Sequence, residues 1–172
     1  MRLVGLDPSS TLTGYAVMDG PDRLIDAGLL KPKCQKDPAI LRIITMASDL
    51  RELLKETKPD VVAVEITSGK VADKKRARSM GAGLAVYGMA VGMMYDTAYS
   101  LLGFDMKAVI PVQENIWTRG VPKQERLALM MKLFPQYTID QDPGGDMGDA
   151  INIGVWTYEW LEAQELIAGG MV

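Results

Sequence analysis

Three apolar runs separated by tight turns open this chain, and they limit its fold more than anything that follows. Residues 2–7, Thr13–Met18 and Leu24–Leu30 each have the length and composition of a strand. Pro8-Ser9-Ser10 separates the first two, and Gly20-Pro21-Asp22, strong turn chemistry, separates the second from the third. Strands joined so closely fold back on their neighbours, so residues 2–30 predict an antiparallel meander. Asp37-Pro38 reads as a helix start, an N-cap acid with proline at the first helical position. Ile40, Ile43, Ile44, Ala47, Leu50 and Leu54 then recur at helical spacing. Lys58-Pro59-Asp60 stops that helix ahead of a fourth strand, Val61–Ile66.

The second half continues in alternation. Residues 67–78 are polar and basic and predict an exposed loop. Residues 79–102 predict a helix with small residues at Gly81, Ala85, Gly88 and Gly92. Residues 107–110 predict a short fifth strand, 112–118 a helical turn, and 124–134 an amphipathic helix through Leu127, Met130, Met131 and Phe134. Asp142-Pro143-Gly144-Gly145 reads as a flexible approach to a last helix over 146–167. A meander followed by alternating helix and strand predicts an α/β domain built on a mixed five-stranded sheet flanked by helices. No repeat or long linker divides the 172 residues, so the expectation is one domain over 1–172.

Composition removes several classes of chemistry. Cys34 is the lone cysteine and there is no histidine, which excludes a disulfide framework, a Ser-His-Asp triad and His- or multi-cysteine-ligated zinc. Acid–base work falls to carboxylates, lysines or metal-bound water. Residues 79–95 carry no charge, but the stretch is short and rich in Gly and Met between Arg78 and Asp96, so a buried helix is predicted rather than a membrane span. The N-terminus predicts no secretory signal, and a cytoplasmic setting is expected. The net charge of −3 conceals an asymmetry: all 19 Lys and Arg lie within residues 1–132, while 133–172 hold seven acids and no base. That distribution permits a basic binding face.

Four acids stand where apolar elements start or stop. Asp7 ends Leu3-Val4-Gly5-Leu6, Glu65 ends Val61-Val62-Ala63-Val64, and Asp146 and Asp149 open the apolar helix. Asp7 alone also reads as a turn residue before proline, and Asp146 and Asp149 as acids complementing a helix N-terminus. Glu65 has no such local explanation. If strand one lies beside strand four and the last helix packs over that edge, the four carboxylates share one site. Two like charges ~4 Å apart repel by roughly 4 kcal/mol at an effective dielectric near 20. Such a cluster predicts cations around it, and oxygen-only ligands favour hard ones, magnesium or manganese. Two such ions serve in-line displacement at phosphorus by activating a water and stabilising the leaving oxygen.

The motifs around these acids resemble a known family. Gly5-Leu6-Asp7-Pro8 with Thr13-Gly14-Tyr15-Ala16-Val17, then Val62-Ala63-Val64-Glu65, then Asp146-Met147-Gly148-Asp149-Ala150 resemble, in order and spacing, the acidic motifs of RuvC-type Holliday junction resolvases. Pro111…Trp117…Gly120…Lys123 with Leu133-Phe134-Pro135 is similar to phage and plasmid-borne members. The resemblance implies an RNase H-like fold, a homodimer, and magnesium-dependent paired nicks across a four-way DNA junction in a bacterial cell or phage-infected host. It implies two Mg2+ ions, replaceable by Mn2+, held by Asp7, Glu65, Asp146 and Asp149. Lys123 takes the place of a basic residue near the scissile phosphate. The glycine-rich helix near 79–102 falls where the family has its dimer interface, although a helix of the monomer core explains the same residues.

Two departures stand out. Ile66-Thr67-Ser68-Gly69 lacks the aromatic that many bacterial resolvases carry after the second acid, and Glu114-Asn115 occupies a region where they tend to carry lysine. Both bear on junction selectivity rather than on cleavage. The basic residues Lys70, Lys74, Lys75, Arg76 and Arg78, with Arg119 and Lys123, are the candidate phosphate contacts, against the alternative of a solvated surface. Trp117 reads as a stacking residue or as core, and Trp156 with Trp160 as packing. The rivals are a nuclease of relaxed branched-DNA or RNA–DNA hybrid specificity and a non-catalytic DNA-binding protein on the same fold. An actin-like nucleotide-binding fold would need a second comparable half, for which the chain is too short.

Overall fold

Strands β1 (Leu3–Asp7), β2 (Thr13–Met18) and β3 (Leu24–Leu30) form the predicted antiparallel meander in the computed structural model of the chain. Residues 1–67 and 74–169 are described, with the side chains of 74–80, 82 and 139 left aside. Helix α1 (Ala39–Thr57) crosses back to β4 (Val61–Ile66), which lies parallel to β1. Helix α2 (Lys74–Leu101) leads to β5 (Val109–Gln113), parallel to β4, and the sheet order is β3-β2-β1-β4-β5. A single turn α3 (Glu114–Trp117), helix α4 (Lys123–Leu133) and helix α5 (Asp146–Ala168) complete the path.

Alternation along the strands divides the core. Val4, Leu6, Val62 and Val64 face α1 and α2, whereas Leu3, Ala63 and Val112 pack with residues of α4 and α5 on the opposite face. Helix α5 presses hardest on the sheet. A Cβ on Gly14 would stand 2.0 Å from the Asp146 carbonyl oxygen, and one on Gly5 would stand 2.4 Å from that of Ala150. Two side-chain-free positions on neighbouring strands therefore let the first turn of α5 settle against the ends of β1 and β2. The second strand motif, Thr13-Gly14, sets the depth at which Asp146 and Asp149 sit.

Several boundaries differ from the expectations. Asp37 does not cap α1: Pro38 is the N-cap, and its carbonyl accepts from the amides of Leu41 and Arg42. Ile43, Ala47, Leu50 and Leu54 are buried as the spacing predicts, with Met46 added, but Ile40 and Ile44 face outward. The segment 74–78 belongs to α2 rather than to a loop, because Lys, Arg and Ala favour helix even without an apolar stripe to advertise it. The fifth strand runs through Pro111 instead of ending at 110, which is permitted because β5 is an edge strand and the missing N–H faces away from the ladder.

Helix α2 buries one stripe of residues in the core and leaves its glycines uncovered. Ala90, Met94 and Ala98 are buried against the α1 side of the sheet, while a Cβ at Gly81, Gly83, Gly88 or Gly92 would meet nothing within 4 Å. Among the described residues no helix is long and apolar enough to cross a membrane.

Candidate active site

The site lies where β1 and β4 end. Leu6 and Val64 are register partners, so Asp7 and Glu65 leave two adjacent parallel strands side by side. Because Leu6 and Val64 face α1 and α2, alternation turns Asp7 and Glu65 toward α5. Asp146 and Asp149 sit three apart on the first turn of α5, directly over that edge.

The turn ahead of α5 fixes its direction. The predicted flexible approach is a hydrogen-bonded bend: the Gly145 amide donates to the Asp142 carbonyl at 2.9 Å. Buried Asp142 accepts through Oδ2 from the Tyr137 hydroxyl at 2.9 Å and from the Gly148 amide at 2.8 Å. Asp142 thus satisfies a free amide at the helix start, the task that local sequence would assign to Asp146 or Asp149. Those two carboxylates are left to face the strand ends.

Charge accumulates there as expected. Burial pushes the Asp7 carboxyl well above the usual carboxylate range, and the charges of Glu65, Asp146 and Asp149 add to it, with Lys123 pulling the other way. Burial raises Glu65 to about 7, reinforced by Glu114 and Asp149 and opposed by the Trp117 hydrogen bond and Arg126. Asp146 is raised as well, chiefly by burial, against the nearby Lys123. Burial likewise pushes the Tyr87 phenol upward, and Glu65, Asp7 and Glu114 add to that, so α2 contributes a side chain beside the acids.

Two bases from α4 answer this charge. Lys123 Nζ stands 2.9 Å from Asp149 Oδ2 and 3.7 Å from Asp146 Oδ1. Burial would lower the Lys123 ammonium, but its hydrogen bond and attraction to Asp149, then Asp146 and Asp7, prevail and raise it. Arg126 donates to Asp149 Oδ1 through Nη2 at 2.9 Å and Nε at 3.3 Å, and through Nη1 to the Val121 carbonyl at 2.7 Å. Its guanidinium lies 4.7 Å from the centre of the Trp117 ring. Trp117 is buried, and its indole N–H donates to Glu65 Oε2 at 2.9 Å.

The donors fit a hard divalent cation in kind. All four are carboxylates, Asp7 feels the charge of the other three, and an ammonium already bridges two of them. As the side chains stand, no group of three or more acids among the described residues is close enough to hold an ion, with Lys123 drawn in between Asp146 and Asp149. Loading a cation therefore entails moving the Lys123 ammonium aside.

The structure brings together Asp7, Glu65, Asp146, Asp149 and Lys123. Arg119 stands apart from the acids: exposed, it reaches Glu159 on α5 at 3.9 Å. Lys70 lies outside the described residues, and Lys74, Lys75, Arg76 and Arg78 ride on the first turns of α2. Trp156 and Trp160 stack with ring centres 6.2 Å apart on α5. Sequence reasoning missed Arg126 and the bond from Trp117 to Glu65. For Arg126 a signal existed, since Lys123 and Arg126 are three apart and share a helix face.

Comparison with known proteins bears on this arrangement. No family model matches the chain. A RuvC crossover junction endodeoxyribonuclease of Thermomicrobium roseum is 27% identical over 173 residues, covering 96% of this chain and 98% of the relative. The chain is similar to RuvC over almost its whole length. A counterpart from Prochlorococcus marinus (strain MIT 9303) reaches 37% identity over 68 residues, a match spanning 38% of this chain and 44% of that relative. Thermus thermophilus RuvC, solved with a Holliday junction substrate, superposes with a TM-score of 0.67 at 20% identity over 90% of this chain and 91% of its own. The Fowlpox virus resolvase, solved with Holliday junction DNA, gives 0.56 at 13% identity over 94% of this chain and 99% of its own. These likenesses establish the RNase H-like fold that the RuvC motifs imply.

Proposed function

We propose that the chain is a structure-selective DNA endonuclease that resolves four-way junctions by paired nicks, dependent on divalent metal. The carrying observation is the meeting of Asp7, Glu65, Asp146 and Asp149 at one strand edge, in a chain aligned almost end to end with a crossover junction endodeoxyribonuclease. These four carboxylates would hold the cation, with magnesium as the expected ion, two per site, and manganese as a substitute. When bound, the metal supplies Lewis-acid activation of water and charge stabilisation at the leaving oxygen.

The protein's own residues do the rest. Burial at the ends of β1 and β4 keeps bulk water from screening the acids, so each cation–carboxylate contact counts for more than in solution. Lys123, released from Asp146 and Asp149, is placed to neutralise the scissile phosphate. Lys70, Lys74, Lys75, Arg76 and Arg78 would meet phosphates along the junction arms, with Arg119 farther out. Pairing of α2 with its copy along Gly81, Gly88 and Gly92 would set two sites on one junction, in the cytoplasm of a bacterial cell or phage-infected host.

A cleavage assay tests the reading. Labelled four-way junction, linear duplex and RNA–DNA hybrid are incubated with magnesium or chelator, beside Asp7→Asn. Symmetric junction nicks are expected, lost with chelator and slowed at least about a hundredfold by the substitution. Cleavage that survives chelator contradicts the metal site, nicks on hybrid alone transfer the activity to a ribonuclease, and junction binding without cutting leaves a non-catalytic protein.

A further inference from the structure

Glu65 and Asp149 approach the site from opposite sides, β4 and α5, yet a continuous chain of contacts outside the acid cluster joins them. Trp117 Nε1 holds Glu65 Oε2 at 2.9 Å, Arg126 lies over the Trp117 ring at 4.7 Å, and Arg126 holds Asp149 Oδ1 with two nitrogens at 2.9 and 3.3 Å. Each contact takes one oxygen of its carboxylate and leaves the other. We infer that Trp117 and Arg126 are positioning residues for metal binding, a single brace that fixes the rotamers of Glu65 and Asp149 so that their second oxygens face the cation, that of Asp149 once Lys123 has left it. The inference rests on the metal-dependent reading above.

Three features separate a brace from ordinary packing. Arg126 is anchored at its far end by the Val121 carbonyl at 2.7 Å, so its guanidinium plane is fixed before it meets Asp149. The side chain is only 14% exposed, which keeps solvent from competing for its donors. The indole N–H is a lone donor with a carboxylate as its partner, where a tryptophan serving packing alone would need only a carbonyl. Lys123, by contrast, is 40% exposed and flexible, and can leave when a cation arrives.

The sign of the effect discriminates. A guanidinium next to a cation site repels the cation, so if Arg126 were merely a counter-charge its loss would tighten metal binding. A brace predicts weaker binding, because the ordering of both carboxylates must then be supplied by the metal itself. Outer-shell partners of metal ligands typically control affinity by about 10–100-fold.

Magnesium binding is measured by titration calorimetry without DNA, on wild type, Arg126→Lys, Arg126→Gln and Trp117→Phe, with melting curves taken in chelator. Arg126→Lys keeps the charge and loses the two-nitrogen clamp, and Trp117→Phe keeps a ring and loses the N–H. Each is expected to weaken magnesium binding by about tenfold, and the double variant Trp117→Phe/Arg126→Lys by less than the product of the two losses, as linked residues do. Unchanged or tighter binding in both single variants, or fully additive losses, overturns the brace while leaving the nuclease reading intact. A wild type that binds no magnesium overturns that reading, and this inference with it.

Discussion

The two ends of the sheet carry acids under opposite conditions. At the amino-terminal end of β1, Arg2 matches each one: its Nε meets Asp19 Oδ1 at 2.9 Å and its amide donates to Asp60 Oδ2 at 2.6 Å. The Arg2 hydrogen bond and charge hold Asp19 below the ordinary carboxylate range, and nothing is strained. At the carboxyl end, Asp7, Glu65 and Asp146 are all pushed upward by burial and by neighbouring carboxylates, although Lys123 and Arg126 are close at hand. One end is assembled for stability. The other carries repulsion that a proton or an additional cation would relieve, at the carboxyl ends of parallel strands, where such folds place ligands.

That contrast can be broken at several points. The largest expected effect is on the helix that completes the strained end. Gly14→Ala drives a Cβ into the Asp146 backbone and should cost about 3 kcal/mol or more, since neither strand nor helix can yield cheaply. Urea unfolding measures it, and an unchanged midpoint would contradict the close seating of α5.

A pH series sharpens the same comparison. Glu65 is raised from its ordinary 4.5 to about 7 in the folded chain, so the folded state keeps a proton that the unfolded state releases across this interval. In chelator, the stability this group contributes is therefore present below about 4.5 and lost as pH rises toward 7. Melting temperature should fall over that window in wild type and fall less in Glu65→Gln. The smallest effect belongs to the matched end: Asp19→Asn should lower the melting temperature slightly and leave junction cleavage unchanged, because a half-buried ion pair still open to solvent contributes little.

How much of this the sequence discloses follows the range of the interactions involved. The meander and the β4 run are local patterns and were readable, as was the placement of the four acids at element ends. The start of α2 was not, since Lys74 to Arg78 offers propensity without periodicity. Pro111 hid the true extent of β5 because only strand order shows that it lies on an edge. Asp142 looked like a turn residue, and its two buried hydrogen bonds depend on Tyr137 and Gly148 being folded against it. The bond from Trp117 to Glu65 spans 52 residues, and no local spacing distinguishes such an indole from one that only fills the core.

The central claim is that the acids of the carboxyl end form one shared cation site. It is tested most directly by the melting temperature of wild type and Asp7→Asn in chelator and in magnesium. Relief of like-charge repulsion should make Asp7→Asn more stable than wild type in chelator, and the stabilisation that magnesium gives wild type should be largely lost in the variant. A variant that melts below wild type in chelator and still gains the full magnesium increment would contradict the account.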